Sequence, residues 1–216
     1  TVVHLQRDGA VGYEVGFNTD VPGAQLGRRR IGGHLPLLDL DAWSAFLDPD
    51  SSTSRINMPR VDVTLDSLRF AGVSFPITRV TVPRPDTGKA VTVNIDGPNL
   101  AGRVEPPTDS APLRIDLDRL VVPQFDVFED ARTDPRQVPA FTFSAKHLVY
   151  GKVDLGTLKV SAKSNPDGLD FDTLYLLSPL FDLEGDGAWR VTTASQRSSF
   201  SLRIFANELP KLLIAA

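Results

Sequence analysis

The sequence predicts a mainly β protein, on the basis of its composition, its alternation of apolar and polar residues, and its turn motifs. The 216 residues include 16 Gly and 17 Pro, and Asp outnumbers Glu by 22 to 5. Long surface helices are rich in Glu, Lys and Ala, whereas Gly, Pro and Asp are typical of turns. With 41% apolar and 23% charged residues, the chain can form a hydrophobic core and is too apolar to be disordered.

Alternation with a period of two residues recurs along the chain. Val61, Val63 and Leu65 are separated by polar residues, so a strand there would have one apolar and one polar face. The same pattern or a β-rich composition predicts further strands at 2–6, 13–17, 77–82, 91–95, 113–117, 141–145, 153–162, 169–171, 174–177, 189–193 and 200–204.

Turn motifs predict how these strands are connected. Asp86-Thr-Gly, Asn165-Pro-Asp-Gly and Asp186-Gly187 lie at hairpin distances from their neighbours. We therefore expect a meandering, antiparallel sheet. Helix signals are limited to two short segments, 40–47 and 208–215, each preceded by a possible capping residue.

The second half of the chain resembles the part before it. A shift of eighty residues places Val61 on Phe141, Val63 on Phe143 and Leu68 on Leu148. We interpret residues 53–136 and 137–216 as two copies of one strand block, and residues 1–52 as the end of a preceding copy with a short helix. A repeated strand block predicts one continuous, elongated sheet whose units stack.

The apolar faces of so many strands must be removed from water, and two short helices are too small to cover them. Three arrangements would do so: a second sheet packed as a sandwich, closure into a barrel, or a curved sheet whose apolar face binds a ligand such as acyl chains. Alternation alone does not distinguish them.

Charge and composition exclude several classes of function. The net charge of −4 and the single basic run, Arg28 to Arg30, are unlike the basic face of a nucleic-acid-binding protein. The absence of Cys excludes disulfides and thiolate chemistry. No apolar stretch reaches the ~20 residues of a membrane span. Because the sequence opens with Thr1 rather than Met, we expect it to be part of a longer protein.

No catalytic or metal-binding motif is present. The three histidines, His4, His34 and His147, lie on different predicted strands, and nucleophile elbows, P-loops and zinc helices are lacking. The pairs Asp39/Asp41, Asp116/Asp118 and Asp170/Asp172 fit the polar face of strands better than acid–base catalysis. The segment 182–187 resembles the start of a calcium loop but has Thr193 at its twelfth position, so a hairpin turn is favoured. We expect no enzyme activity, cofactor or metal.

Two other residue types could serve either structure or binding. Trp43 and Trp189 suit a core or the rim of a lipid-binding groove, and we favour the core for Trp43. Arg28 to Arg30 could contact phosphate headgroups, but we favour a solvated strand edge that prevents sheet-to-sheet pairing.

Several segments resemble the YhdP group of AsmA-like proteins of the Gram-negative envelope. Leu35-Pro-Leu-Leu-Asp-Leu-Asp-Ala-Trp43 is similar to a segment of that family, and so are 93–104 and the strand 113–122. The clearest match is 139–207, with Leu177-Ser-Pro, Gly185-Asp-Gly-Ala-Trp189 and the closing strand from Ser199. These motifs mark turns and strand positions and include no catalytic signature.

The resemblance implies a repeating β-groove, apolar within and polar outside, that carries phospholipid through the periplasm from inner to outer membrane. It also implies anchoring by an N-terminal transmembrane helix that these 216 residues lack, and contact with both membranes through other parts of the protein. The acyl chains would lie against the converging apolar faces, at Val61, Val63, Leu65, Val91, Val93, Ile95, Ile115, Leu117, Phe141, Phe143, Phe171, Leu202 and Ile204. The alternatives are a non-enzymatic β-sandwich scaffold or interaction module of the envelope and, less favoured, a hydrolase with an unrecognised site.

Overall fold

The computed structural model of the chain consists almost entirely of β-strands. It describes residues 2–7, 10–20, 27–39, 59–70, 73–84, 91–108, 110–123, 134–192 and 195–206. The strands are β1 Val2–Arg7, β2 Ala10–Phe17, β3 Arg29–Asp39, β4 Arg60–Phe70, β5 Val73–Val82, β6 Val93–Asp96, β7 Leu100–Glu105, β8 Leu113–Val122, β9 Phe141–Tyr150, β10 Val153–Asn165, β11 Gly168–Leu177, β12 Phe181–Val191 and β13 Gln196–Ala206. The predicted mainly β class is confirmed.

The strands form one sheet in which each strand is hydrogen-bonded to its neighbours in sequence, from β1 to β13. The chain divides into two compact units, Thr1–Arg103 and Val104–Ala216, called here the N-terminal and C-terminal units. Within the described residues the only helix is a single 3-10 turn, Pro135–Gln137, capped by the Asp134 side chain. The predicted helices at 40–47 and 208–215, and the predicted turn at Asp86, lie outside the described residues.

The prediction of an antiparallel sheet is wrong at three pairs of strands. In the N-terminal unit β2–β3 and β3–β4 are parallel, and in the C-terminal unit β8–β9 are parallel. Parallel neighbours need a connection longer than a hairpin turn, and the sequence between these strands is long enough for one. Alternation sets which face a side chain occupies and carries no information on strand direction.

The two parallel junctions at β3–β4 and β8–β9 lie at corresponding positions of the proposed repeat. Val61 is paired with Ile31 of the preceding strand, and Phe141, eighty residues later, is paired with Leu113. The division into blocks 1–52, 53–136 and 137–216 stays a prediction.

In β4 and in β9 the regular alternation of buried and exposed residues is interrupted once, at corresponding positions of the two strands. Leu65 and Leu68 are both buried although they lie three residues apart, and the same holds for Ala145 and Leu148. A backbone with positive φ occurs on the neighbouring strand in each case, at Ile77 in β5 and at Gly156 in β10. Such an irregularity turns the strand so that its apolar side chains stay on one side of the sheet.

Of the predicted hairpins, one is confirmed and one is wrong. Asn165 pairs with Gly168 across a two-residue turn, as expected. Asp186 and Gly187 instead lie inside β12, where Gly187 is paired with Phe171 on one side and Phe200 on the other. Gly is rare within strands, but here it makes room for the Phe200 side chain.

Candidate functional site

Three rows of apolar residues run across β8 to β13 in the C-terminal unit and form what we call its apolar face. Residues directly opposite in neighbouring strands point to the same side of the sheet. The first row is Leu113, Phe141, Ala162, Phe171, Gly187 and Phe200; the second is Ile115, Phe143, Val160, Leu174, Gly185 and Leu202; the third is Leu117, Ala145, Leu158, Leu176, Leu183 and Ile204. No polar residue interrupts any of the three rows.

The first row contains a band of aromatic rings. The ring centroids of Phe141 and Phe171 are 6.4 Å apart in an edge-on arrangement, and those of Phe171 and Phe200 are 5.4 Å apart. These rings sit on every second strand and meet because only Ala162 and Gly187 lie between them. A Cβ atom at Gly187 would overlap the Phe200 ring. The small residues are therefore what makes the band continuous.

Burial falls along these rows from β8 to β13. In the third row Leu117, Ala145 and Leu176 are 4%, 0% and 9% exposed, whereas Ile204 is 59% exposed. Phe200 and Leu202 are also about half exposed. The apolar face is thus open to solvent at its β13 side.

The opposite face of the C-terminal unit is polar and carries cross-strand ion pairs. Lys146 Nζ lies 2.7 Å from Asp118 Oδ1, and Lys163 Nζ lies 2.9 Å from Asp172 Oδ2. Ser144 donates a hydrogen bond to Asp116. Arg190 pairs with Asp170, and its hydrogen bond, together with one from the Asn165 amide, lowers the pKa of the Asp170 carboxyl. The pairs Asp116/Asp118 and Asp170/Asp172 therefore belong to the polar face, and Asp41 of the third pair lies outside the described residues.

The N-terminal unit has a corresponding apolar face. One row joins Val15, Ile31, Val61 and Val82; a second joins Phe17, Gly33, Val63, Val80 and Ile95; a third joins Leu35, Leu65 and Thr78. Val63, Leu65, Thr78 and Val82 are buried, so these rows are more covered than those at β13. On the other face Arg79 donates two hydrogen bonds to Asp62, which lowers the pKa of that carboxyl.

Nearly all residues predicted to line the groove lie on these two faces. The structure places Ile115, Leu117, Phe141, Phe143, Phe171, Leu202 and Ile204 in the rows of the C-terminal unit, and Val61, Val63, Leu65 and Ile95 in those of the N-terminal unit. Val93 lies on β6 two residues before Ile95, and Val91 precedes that strand. Contact of any of them with lipid stays a prediction.

Sequence reasoning missed several members of the rows. Val160, Leu158 and Leu174 lie in strands that were predicted, so extending the alternation would have found them. Gly185 and Gly187 gave no such signal, because their place in the face depends on Leu202 and Phe200 of the next strand.

His34, His147 and Trp189 have structural partners, whereas the side chain of the third histidine, His4, lies outside the described residues. His34 Nε2 lies 2.8 Å from Asp66 Oδ1, and His147 Nδ1 lies 3.8 Å from Asp154 Oδ1. Trp189 donates a hydrogen bond to the Gln196 side chain. Segment 182–187 is part of β12 and not a loop, and the described residues include no group of three potential metal ligands. Trp43 lies outside the described residues.

The arginine run does not form a sheet edge, contrary to expectation. Arg29 and Arg30 belong to β3, which is paired on both sides with β2 and β4. Arg30 faces Glu14 at 3.5 Å beside a polar cavity of about 240 Å³ that Asp62 also lines. Alternation could not show that β3 is paired on both sides. The preceding strand, β2, pairs with it in parallel, and alternation carries no information on such pairing.

Comparison with known proteins identifies the family. Searches of curated proteins and of solved structures give no match. Across the described residues there is no helix long and apolar enough to traverse a bilayer. The profile of the YhdP protein family matches residues 3–215, almost the whole length of the sequence. The chain therefore belongs to the YhdP family.

Proposed function

We propose that this chain is a segment of an AsmA-like envelope protein that carries phospholipid between the inner and outer membranes. The acyl chains lie along the apolar face, and the protein around this segment is periplasmic and anchored in the inner membrane. Family membership suggests the envelope, and the observation that carries the proposal is the set of uninterrupted apolar rows, open to solvent at β13.

The chemistry of the rows suits a mobile cargo. The three rows of the C-terminal unit contain aliphatic and aromatic groups only, so an acyl chain gains about 0.8 kcal/mol for each CH₂ it buries at any position. No charged or hydrogen-bonding group on the rows holds a lipid at one point. The polar face, with its ion pairs, keeps the other side of the sheet in water.

The sandwich alternative has less support. A β-sandwich buries its apolar faces between two sheets, whereas within the C-terminal unit the strands β8 to β13 lie side by side in a single sheet. A hydrolase would need convergent titratable groups in a pocket, whereas His34, His147 and Asp170 each lie in a separate ion pair.

The test is mass spectrometry of the lipids that co-purify with the chain from a Gram-negative host. Two variants of β13 provide a matched comparison. Leu202→Asp/Ile204→Asp adds two carboxylates to the apolar face, and Ser201→Asp/Phe205→Asp adds two to the polar face of the same strand. Ile204 and Phe205 are 59% and 54% exposed, so both variants should fold. Val63 is unsuitable, because a charge at its buried position would destabilise the fold.

We expect phospholipid on the parent and on the polar-face variant, and little on the apolar-face variant. Circular dichroism should show the same strand content for all three. A folded, monodisperse parent without lipid would overturn the proposal and favour the scaffold. Equal lipid on both variants would show that the face at β13 does not hold the cargo.

A further inference from the structure

The polar face of the N-terminal unit contains a cavity where two glycines lie side by side. Gly16 of β2 is opposite Gly32 of β3, and Gly32 is opposite Asp62 of β4, so three neighbouring strands contribute a single side chain to this row. The space beside the glycines is the polar cavity of about 240 Å³ that Glu14 and Arg30 also line. Every residue that lines it belongs to the described part of the chain.

The chain that leaves β2 forms one wall of this cavity. Asn18 has a positive φ of 48°, and its side-chain amide donates a hydrogen bond of 3.1 Å to the backbone of β3. A Cβ atom at Gly33 would overlap the Phe17 carbonyl, so glycine at this position lets the turn lie close against β3. Thr19 and Asp20 follow the turn and line the cavity.

Glu14 is the buried charge of this cavity. The residue is 8% exposed, and its ion pair with Arg30 spans 3.5 Å, longer than the about 2.7–2.9 Å of a charge-assisted hydrogen bond. From the described residues its carboxylate accepts no hydrogen bond. A buried carboxylate that lacks hydrogen bonds is unfavourable, so we expect a donor to occupy the cavity beside it.

The other charges that line the cavity favour a cation over an anion. Asp20 and Asp62 add two carboxylates, and Arg30 is the single cation among the lining residues. Arg79 donates to both oxygens of Asp62, whereas the exposed Asp20 forms no ion pair with any described residue. Because the described residues include no group of three potential metal ligands, the hydrogen-bond donors of an organic cation are the better match.

We propose that this cavity binds a small aliphatic amine, whose ammonium group donates hydrogen bonds to Glu14. An ammonium group has three donors and suits a site in which carboxylates outnumber cations. At about 30 Å³ for each water-sized group, the cavity holds about eight non-hydrogen atoms, which is enough for a short diamine.

The same charges disfavour an amine that carries a phosphate, as in a lipid headgroup. Its phosphate would lie near the carboxylates that attract the ammonium group, and like charges repel. The cavity also lies on the face opposite the apolar rows, since Gly16 and Gly32 alternate with Val15 and Ile31. The inference therefore does not depend on lipid binding.

Calorimetric titration of the full chain with 1,4-diaminobutane tests the proposal. The diol 1,4-butanediol has a similar shape without charge, and O-phosphoethanolamine represents the amine with a phosphate. Glu14→Gln removes the buried charge, and Asp66→Asn is its matched control on the polar face of β4. Arg30→Gln removes the lining cation, and Arg60→Gln, directly opposite on β4, is the matched control outside the cavity.

We expect saturable binding of one diamine per chain, weaker binding of O-phosphoethanolamine and none of the diol. Glu14→Gln should weaken diamine binding about ten- to hundredfold, because a hydrogen bond to a charged group is lost. Arg30→Gln should strengthen it about two- to fivefold, because Arg30 competes for the Glu14 carboxylate. The two control variants, Asp66→Asn and Arg60→Gln, should change it by less than about twofold.

Backbone amide NMR locates the bound amine. The signals of Gly16 and Gly32 should shift in a saturable manner as the diamine is added. Those of Gly185 and Gly187 on β12, which are also glycines within strands, should stay unchanged. Shifts at β12 and not at the cavity would place the amine elsewhere and contradict the inference.

Three further results would overturn the inference. These are the absence of saturable binding, equal binding to the parent and Glu14→Gln, and weaker binding to Arg30→Gln, which would indicate an anion site. If circular dichroism shows that Glu14→Gln does not fold, Asp20→Asn takes its place, with an expected loss of about two- to fivefold, and an unchanged affinity would then count against the site. Since the assay contains no lipid, its failure leaves the lipid proposal to its own test.

Discussion

The two sides of the apolar face in the C-terminal unit differ in burial although their residues are alike. Leu117 on β8 and Ile204 on β13 belong to the same row, yet one is 4% exposed and the other 59%. β8 is covered on one side by β9 in parallel, whereas the outer edge of β13 pairs with no described strand. Similar side chains therefore form a core at one side and an open surface at the other.

This difference in burial indicates which residues stabilise the fold and which are available for binding. Complete burial of a Leu or Ile side chain stabilises a fold by about 1.5–3 kcal/mol, and Leu117 has that contribution already. Ile204 is mostly exposed, so most of the free energy of burying its side chain would be gained only on contact with a ligand or a further strand. The β8–β9 side should thus dominate stability, and the β13 side should dominate interactions.

The largest expected effect tests this division directly. Leu117→Ala should lower the free energy of unfolding by about 2–5 kcal/mol, because it leaves a cavity among buried residues. Ile204→Ala should lower it by less than about 1 kcal/mol, because the side chain is already in water. Urea denaturation of the two variants measures both values. Equal losses would mean that the β13 side is as tightly packed as the β8–β9 side.

A smaller effect on the free energy of unfolding concerns the contact between Gly187 of β12 and the Phe200 ring of β13. Gly187→Ala places a methyl group where the Phe200 ring lies and should cost about 1–3 kcal/mol. In that background Phe200→Ala should cost less than it does in the parent, because the overlap has been relieved. A double-mutant cycle measures the coupling, and purely additive losses would contradict the contact between ring and glycine.

The third prediction concerns pH and a pair that links β11 with β12. Because the pKa of Asp170 is lowered by Arg190 and Asn165, the charged carboxylate stabilises the fold above its ordinary pKa of about 3.9. This stabilisation is lost as the pH falls through the lowered value. Asp170→Asn should therefore flatten the dependence of the urea midpoint on pH below about pH 5. Arg190→Gln should do the same, and a slope that stays unchanged in both would exclude the pair.

Much of the fold follows from the sequence because alternation is a local property. Val61, Val63 and Leu65 identify β4 and its apolar side without any knowledge of the neighbouring strands. Strand direction is not local, so the parallel pairs were missed. The three-residue spacing of the buried residues Leu65 and Leu68 could not be predicted either, because it depends on the positive φ of Ile77 on the adjacent strand.

The candidate site shows the same limit in its glycines. Gly185 and Gly187 are typical of a turn when seen with Asp186, and this pattern predicted a hairpin. Their role is visible only when β13 is placed beside β12, because Leu202 and Phe200 occupy the space above them. Residues whose function depends on a neighbouring strand are those that sequence reasoning missed.

The smallest expected effect compares how much the polar and the apolar face of the β8–β9 junction contribute to the free energy of unfolding. Lys146 and Asp118 form a 2.7 Å ion pair across it, but both side chains are largely exposed. Exposed pairs of this kind contribute little after screening, so Lys146→Ala should change the free energy of unfolding by less than about 0.5 kcal/mol. Leu148, on the apolar side of the same strand, is buried, and Leu148→Ala should cost several times more. If the lysine variant loses as much as the leucine variant, the junction is held by its polar face. The contrast between β8 and β13 would then reflect ion pairing and not the burial of the rows.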